Sequence, residues 1–308
     1  MREWIVSPGE EGRLDRFLLS HLPWLTTGRL HKYVRENKIK VDGRKLPLSA
    51  AVSSGSAVRL YLPDSALEPP VQAVYEDSEI LIADKPAGLL TLDETGHAAD
   101  TLELRVRRRL PQARACHRLD AGTQGLVLFA KTEDVRREME ALIRARSIVK
   151  EYLCVTVGHP SPACGEIRGY LRKDACRSLV RMLPSPAPGA KISVTRYETL
   201  ASAGPHSLLR AELVTGRTHQ IRVHMAAIGC PLLGDDKYGS HTANRAARMK
   251  HQALCAWRLT FPKAPGHPWS GLMATAQEPW FAEKLRQGKA LESLLPASPF
   301  KQECETGR

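Results

Sequence analysis

The apolar run Leu126-Val127-Leu128-Phe129-Ala130 follows directly on the stretch His117-Arg118-Leu119-Asp120-Ala121-Gly122-Thr123-Gln124-Gly125. A short unbroken apolar segment bounded by turn residues predicts a strand buried in the core. The stretch before it then becomes a tight loop at the strand's start, with Asp120 beside an Arg and a His and ahead of two glycines. A carboxylate on a loop anchored by a core strand sits on a rigid scaffold, which is where reactive groups are presented. Asp120 is therefore the candidate nucleophile.

The remaining segments supply partners for that strand. Val74-Tyr75 and Ile80–Ala83 read as strands around a turn, and Lys85-Pro86-Ala87-Gly88 as a further turn. Asp100 is expected to cap a helix with Leu102, Val106 and Leu110 on one side, and Thr132 one with Val135, Met139, Leu142 and Ile143. In Val149–Gly158 the residues alternate, so Lys150 and Tyr152 share one strand face and Leu153, Val155 and Val157 the other. Residues 159–189 are rich in Pro, Gly, Ser and Arg and read as irregular with short strands, while 192–200 and 207–214 read as strands. Ile221, Met225 and Ile228 recur at helical spacing, with Thr218 as the expected N-cap and Gly229 as the stop. Ala253, Cys255, Trp257, Leu259 and Phe261 alternate as a late strand.

Ahead of all this, residues 13–62 read as a small separate unit. Leu14, Phe17, Leu18 and Leu22 mark one helix. Thr26 or Thr27 would cap a second, which carries Leu30, Tyr33 and Val34 on one face and stops at Asn37. A short strand then enters an Asp42-Gly43 turn. The expected partition is a small N-terminal domain at 1–63, a proline-rich linker at 64–73, a larger second domain at 74–286 and a disordered tail at 287–308.

Charge narrows the function classes. The chain carries 45 Lys and Arg against 33 Asp and Glu, a formal charge of +12, which favours a polyanionic partner. Residues 29–45 concentrate that charge in Arg29, Lys32, Arg35, Lys38, Lys40, Arg44 and Lys45, with two acids among them. One charged helix face is ordinarily just solvated, but these bases continue from the helix into the next strand and turn, which suits a phosphate backbone. No apolar run approaches the length of a membrane span, and the N-terminus has no apolar leader core. The seven cysteines form no Cys-x-x-Cys pair, which argues against a zinc site or a disulfide framework and for a reducing cytoplasm.

Several segments together carry a resemblance. His117–Gly125, Lys150-Glu-Tyr-Leu-Cys-Val-Thr-Val-Gly and Gly216-Arg-Thr-His-Gln-Ile-Arg-Val-His, in that order and after Lys85-Pro-Ala-Gly, resemble the motifs of the RluA family of pseudouridine synthases. Arg13-Leu-Asp-Arg-Phe-Leu, Gly28–Lys45 and Gly55-Ser-Ala-Val-Arg-Leu resemble an S4 RNA-binding domain, with Asn37 and Asp42 standing where Gly and Asn are common. The resemblance implies an α+β fold: a mixed, mostly antiparallel sheet with a central active-site cleft, preceded by a small S4-like α/β domain. It implies isomerisation of uridine to pseudouridine in structured RNA, with ribosomal RNA of the large subunit preferred and tRNA second. No cofactor, metal or membrane is expected, and the chain is expected to be a cytoplasmic monomer.

By the same resemblance Asp120, Tyr152 and Arg222 are the catalytic set. Asp120 attacks, Arg222 holds it charged through its planar fork, and Tyr152 stacks on the base and takes part in proton abstraction. Arg118, His117, Thr123, Arg217 and His219 are expected to contact the RNA, as are the seven bases of the N-terminal unit. The plain readings stay open beside these: Asp120 capping a turn, Tyr152 filling a core strand, Arg222 pairing with a structural acid, and His117, His219 and His224 orienting their neighbours. Gln124 replaces the usual Ser, Cys255 a frequent His, and Thr91-Leu92-Asp93 the usual Val-His-Pro. A non-catalytic RNA-binding factor would not need a paired carboxylate. A hydrolase reading lacks a second acid near the motif.

Overall fold

A computed structural model describes residues 1–63, 71–93, 98, 100–174 and 179–291. The chain divides into two compact units, Met1–Val71 with Leu92–Arg109, and Gln72–Thr91 with Leu110–Arg308. The expected linker and tail fall mostly outside the described residues.

In the first unit, β1 (Arg2–Ile5), β2 (Gly12–Arg13), α1 (Leu14–His21), α2 (Thr27–Arg35), β3 (Ile39–Val41), β4 (Ala51–Val52) and β5 (Ala57–Leu60) follow one another, joined later by α3 (Leu102–Arg109). The strands form an antiparallel sheet β1-β5-β3 and a small pair β2-β4. Leu14, Phe17, Leu18, Leu22 and Leu30 bury their side chains together with Ile39, Val41, Val58 and Leu60, as their spacing predicts. The Thr26 hydroxyl accepts from Arg29 N–H at 3.3 Å and caps α2. Asn37 ends the helix in the left-handed region (φ 56°), and Lys38 N–H closes back on Tyr33 C=O at 2.9 Å. Asp42 and Gly43 both take positive φ (49° and 77°), the geometry of a tight two-residue hairpin loop. β1 has no signature in the sequence because none of its residues is fully buried: Ile5 is exposed and Trp4 packs only partly against the core. The cap of α3 is Thr101, whose hydroxyl accepts from Leu104 N–H at 3.1 Å, and not Asp100, which receives Arg105 instead.

The second unit is built on one large sheet. Its strands are β6 (Gln72–Glu76), β7 (Ile80–Lys85), β8 (Arg114–Ala115), β9 (Gln124–Ala130), β10 (Val149–Val157), β11 (Cys164–Asp174), β12 (Leu179–Leu183), β13 (Lys191–Ala203), β14 (His206–Leu213), β15 (Leu254–Thr260) and β16 (Met273–Thr275). The path runs β12-β11-β13-β14-β10-β15-β9-β7-β6, with β16 on β15 and β8 on β9. Every pairing among the described residues is antiparallel except β9 with β15, so the sheet is mixed and mostly antiparallel as expected. The helices are α4 (Glu133–Arg144), α5 (Gln220–Ala227), α6 (His241–Ala246) and α7 (Trp280–Arg286).

The apolar run Leu126–Ala130 is the buried part of β9, with all five side chains fully covered. Leu126, Leu128 and Ala130 join Ile80, Ile82, Leu153 and Val155 in the main core. β9 begins at its one parallel contact, where Cys255 faces Gln124 and Ala256 faces Gly125. A Cβ on Gly125 would collide with Ala256 C=O, and its φ is +108°, so only glycine fits there. Segment 159–189, expected to be irregular with short strands, is more regular than that: β11 runs eleven residues, pairing with β13 over Cys164–Leu171 and with β12 over Tyr170–Asp174. Pro, Gly and Arg obscure its apolar alternation, because Ile167, Gly169 and Leu171 face one side with a glycine in the middle.

Candidate active site

The loop ahead of β9 is held from three sides. Behind it, Lys85 is fully buried and its ammonium donates to Pro86, Leu89 and Ala121 carbonyls at 3.0, 2.6 and 3.0 Å. Three acceptors match the three N–H donors of a charged lysine. Burial pushes Lys85 down to about 7, with Asp120 and Asp84 opposing. Gly88 N–H adds a second donor to Ala121 C=O at 2.8 Å, so the Lys85–Gly88 turn clamps the residue next to Asp120. Below, Thr91 Oγ1 both donates to Leu119 C=O and accepts from Leu119 N–H, each at 3.0 Å, which imitates a strand partner. At the side, Gln252 Nε2 donates to Thr123 Oγ1 at 3.1 Å and its amide covers Gly122, leaving no room there for a Cβ. Thr123 N–H closes the turn on Asp120 C=O at 3.0 Å.

His117 belongs to the same bracing. Its Nε2 accepts from Leu128 N–H at 3.2 Å, which ties the loop's entry to β9. Burial of the ring, reinforced by the Lys150 ammonium, pushes His117 down to about 3, so it is a neutral acceptor. His117, Arg118, Asp120 and Thr123 all line one cleft of about 570 Å³, together with Lys150 and Tyr152 from β10 and Arg217, His219 and Arg222 from the α5 segment. Lys150 and Tyr152 share the cleft face of β10 as the alternation predicts, next to a bulge in the β10–β15 pairing between Glu151 and Tyr152. The cleft volume suits a nucleotide-sized ligand.

The α5 segment differs from its sequence-based expectation in one respect. The N-cap is His219, in the left-handed region (φ 55°), and the helix starts at Gln220; Thr218 caps nothing. Gln220 explains the difference. Its carbonyl accepts from Thr215 Oγ1 at 2.7 Å and Arg217 N–H at 3.0 Å, and its amide donates to Val194 C=O and Thr195 Oγ1, each at 2.9 Å. A buried glutamine with all its hydrogen bonds made fixes the turn that a threonine cap would otherwise shape.

That turn sends Arg222 across to Asp120. Arg222 Nη1 donates to Asp120 Oδ2 at 3.2 Å. The planar fork, however, is engaged elsewhere: Nε and Nη2 donate to Asp235 Oδ2 and Oδ1, both at 2.7 Å, and Nη2 also to Asp236 Oδ1 at 2.9 Å. Arg222 thus has both partners that the sequence left open, and its bidentate one is the structural acid. Asp235 is fully buried and also accepts from Lys237 N–H at 2.9 Å and Tyr238 N–H at 3.0 Å. Burial opposes charge on both groups, yet their pairing outweighs it: Arg222 is raised and Asp235 lowered from ordinary values. With four donors on it, Asp235 cannot serve as the second acid of a hydrolase.

Tyr152 is almost wholly buried, and burial, followed by the charge of Asp120, pushes its phenol well above the usual tyrosine range. His219 Nε2 stands 3.7 Å from Asp120 Oδ2, and its Nδ1 lies 2.8 Å from the Tyr238 hydroxyl. Asp235, Tyr238, Gln220 and Gln252 are absent from the sequence-based site. The available signal for the first two was Gly234-Asp235-Asp236-Lys237-Tyr238-Gly239, an acidic stretch bracketed by glycines. A Cβ on Gly234 would collide with His251 C=O, and one on Gly239 with Asp235 C=O.

Comparison with known proteins gives this arrangement its context. The family model for RNA pseudouridylate synthase matches residues 79–227, which include the Asp120 loop, β10 and α5. The chain is 30% identical over 303 residues to ribosomal large subunit pseudouridine synthase D of Pseudomonas aeruginosa, covering 90% of this chain and 93% of that one. The chain belongs to the RNA pseudouridine synthase family. It is also 30% identical over 246 residues to ribosomal large subunit pseudouridine synthase C of Vibrio cholerae, across 74% of this chain and 76% of the relative. The pseudouridine synthase fold recurs in human RNA pseudouridylate synthase domain containing 4, with a TM-score of 0.57 at 22% identity over 70% of this chain and 92% of that one. As a pseudouridine synthase the protein is an isomerase of RNA uridine. Among the described residues, no helix is long and apolar enough to cross a membrane.

The seven bases predicted to touch RNA from the first unit lie on α2, β3 and the turn after it. Arg29, Lys32, Arg35, Arg44 and Lys45 are exposed, and Lys38 and Lys40 are half-buried. Lys38 pairs with Glu36 at 2.7 Å and Lys32 reaches the same acid at 3.8 Å. Lys40 lies over the Tyr61 ring, 5.4 Å from its centre.

Proposed function

We propose that this pseudouridine synthase modifies specific uridines of large-subunit ribosomal RNA, with Asp120 as nucleophile, Arg222 as its charge partner and Tyr152 as the residue facing the base. One observation carries the reading: Asp120 Oδ2 is held by an arginine that is itself locked by a buried carboxylate. A nucleophile gains most from such a fixed partner, because the geometry costs nothing at the moment of reaction. The isomerisation balances within the nucleoside. The C1′–N1 bond breaks, a C1′–C5 bond forms, C5 loses a proton and N1 gains one.

Tyr152 fits the later half of that sequence. Before Asp120 reacts the phenol keeps its proton, since burial and the Asp120 charge both disfavour the phenolate. Once Asp120 has formed a covalent bond its charge is gone, and one of those two obstacles is removed. The ring meanwhile offers a stacking face to a base drawn out of its helix. Arg118 and Arg217 line the same cleft, and their charge suits contact with the phosphates flanking the base. The first unit acts as an S4-like module that docks the RNA backbone; its exposed bases and its left-handed turn residues Asn37 and Asp42 support that assignment.

The test is to incubate purified protein and an Asp120→Ala variant with total RNA from cells lacking the enzyme, then map pseudouridine. New sites in large-subunit ribosomal RNA with the wild type and none with the variant are expected. Sites confined to tRNA overturn the choice of substrate. An active variant overturns the role of Asp120, and a wild type that adds none to any RNA leaves only an RNA-binding protein with this fold.

A further inference from the structure

We propose that Tyr238 is a positioning residue for Asp120: its hydroxyl, fixed by the backbone of β12, holds His219 as the neutral tautomer whose Nε2–H points at Asp120 Oδ2. The inference rests on the reading of Asp120 as nucleophile.

Hydrogen-bond accounting leads to it. Val180 N–H on β12 donates to the Tyr238 oxygen at 2.8 Å. The phenol has one proton of its own, and its other polar neighbour is His219 Nδ1 at 2.8 Å. Placing that proton on the line to Nδ1 satisfies every group, and it makes Nδ1 the acceptor. A neutral imidazole that accepts at Nδ1 carries its hydrogen at Nε2. That nitrogen is the one 3.7 Å from Asp120 Oδ2. The distance is longer than a hydrogen bond, and catalytic contacts of this kind tighten when substrate fills the site.

The backbone makes the arrangement rigid. Asp235 Oδ1 accepts from Tyr238 N–H at 3.0 Å and from Arg222 Nη2 at 2.7 Å, so one buried carboxylate anchors both arms that reach Asp120. His219 holds a left-handed conformation at the start of α5 (φ 55°), and the residue lines the cleft. Arg222 Nη1 and His219 Nε2 both address Oδ2, and among the described residues Oδ1 accepts no hydrogen bond. Oδ2 is therefore the held oxygen and Oδ1 the attacking one.

The titration of His219 is set by its surroundings as a whole. Burial lowers it, Asp120 and Asp235 raise it, and Arg222 and Lys237 lower it. Removing the Tyr238 hydroxyl leaves all of these in place and frees the Nδ1 lone pair. His219 then protonates at higher pH and ties Asp120 into an ion pair that blunts the nucleophile.

The decisive experiment uses the full chain with Tyr238→Phe, which keeps the ring 5.3 Å below Arg222, and His219→Asn, which tolerates the left-handed turn. Imidazole nitrogen NMR on the free wild type is expected to show His219 as the Nε2–H tautomer. In Tyr238→Phe its titration moves to higher pH. Single-turnover pseudouridine formation at saturating RNA falls about 10-fold in both variants, the scale of a misplaced reactive group, and RNA affinity is unchanged in Tyr238→Phe. The acid limb of the pH–rate profile moves up in the Phe variant. An Nδ1–H tautomer in the wild type, or a Phe variant with wild-type titration and rate, overturns the proposal. So does a fall in rate confined to the Phe variant, which would mark a structural role through Val180. If the wild type converts no RNA, the nucleophile reading falls on its own, and the tautomer measurement still decides the tyrosine's effect on His219.

Discussion

The α2–β3 surface of the first unit and the cleft around Asp120 both concentrate charge, and they manage it in opposite ways. On α2 and β3 the bases stand in or near solvent, with Lys32 and Lys38 sharing one acid. Exposed pairs of that kind contribute little, so the charge is available to a polyanion. In the cleft Arg222 and Asp235 are buried, and their fork-to-fork pair at 2.7 Å leaves one Arg222 nitrogen for Asp120. Surface charge thus acts by its sum, whereas buried charge acts by its geometry. The sum can be read from a sequence, and the geometry depends on who the partners are.

Substitutions that sharpen this contrast differ widely in expected size. Asp120→Ala should lower the single-turnover rate by at least about 10⁴-fold, as removal of a nucleophile does. RNA affinity, measured by filter binding, should stay within about 3-fold, because phosphate neutralisation dominates it. A proportional weakening of binding would mean that Asp120 shapes the cleft instead of reacting.

Asp235→Asn comes next. It leaves Arg222 buried with its main partner gone, a change that costs about 3–5 kcal/mol in such pairs. Denaturant titration should show the lower stability, and activity should drop with it. A stable, fully active variant would show that Arg222 needs no lock.

Replacing Arg29, Lys32, Lys40 and Arg44 together with Ala should act on the other side of the comparison. Affinity should fall roughly 30-fold near physiological salt, and the slope of log affinity against log salt should flatten by about one for each phosphate no longer neutralised. The single-turnover rate at saturating RNA should not move. A rate effect at saturation would give this surface a part in the chemistry.

The smallest effect is one of pH. Burial pushes His224 down to about 4, and its ring reaches Ser193 Oγ at 2.8 Å. An unfolded histidine titrates near 6.5, so between about 6.5 and about 4 the unfolded chain binds the extra proton and stability falls as pH falls. His117, pushed down to about 3, adds to the same side. From pH 7 to pH 5 the fully buried His224 alone should cost about 2 kcal/mol. The pH dependence of urea unfolding should be shallower in His224→Gln; an unchanged slope would mean that the buried imidazole is not neutral.

The sequence determined what depends on neighbours along the chain. The run 126–130 is a core strand, Asn37 and the Asp42-Gly43 turn are left-handed, Thr132 caps α4, and Lys150 and Tyr152 share one strand face. Each follows from local steric limits or from a period of two or of three to four residues. The Asp120 loop, with its two following glycines just ahead of a core strand, was legible for the same reason. Tertiary structure alone decided what Arg222 would hold, since Asp120 and Asp235 lie 102 and 13 residues from it. It also decided that Gln220 would displace Thr218 as organiser of the α5 turn, and that Tyr238 would meet His219. A side chain's hydrogen-bonding capacity is written in its residue type. Its partner is chosen only when folding removes water and leaves each buried polar group to find what stands opposite.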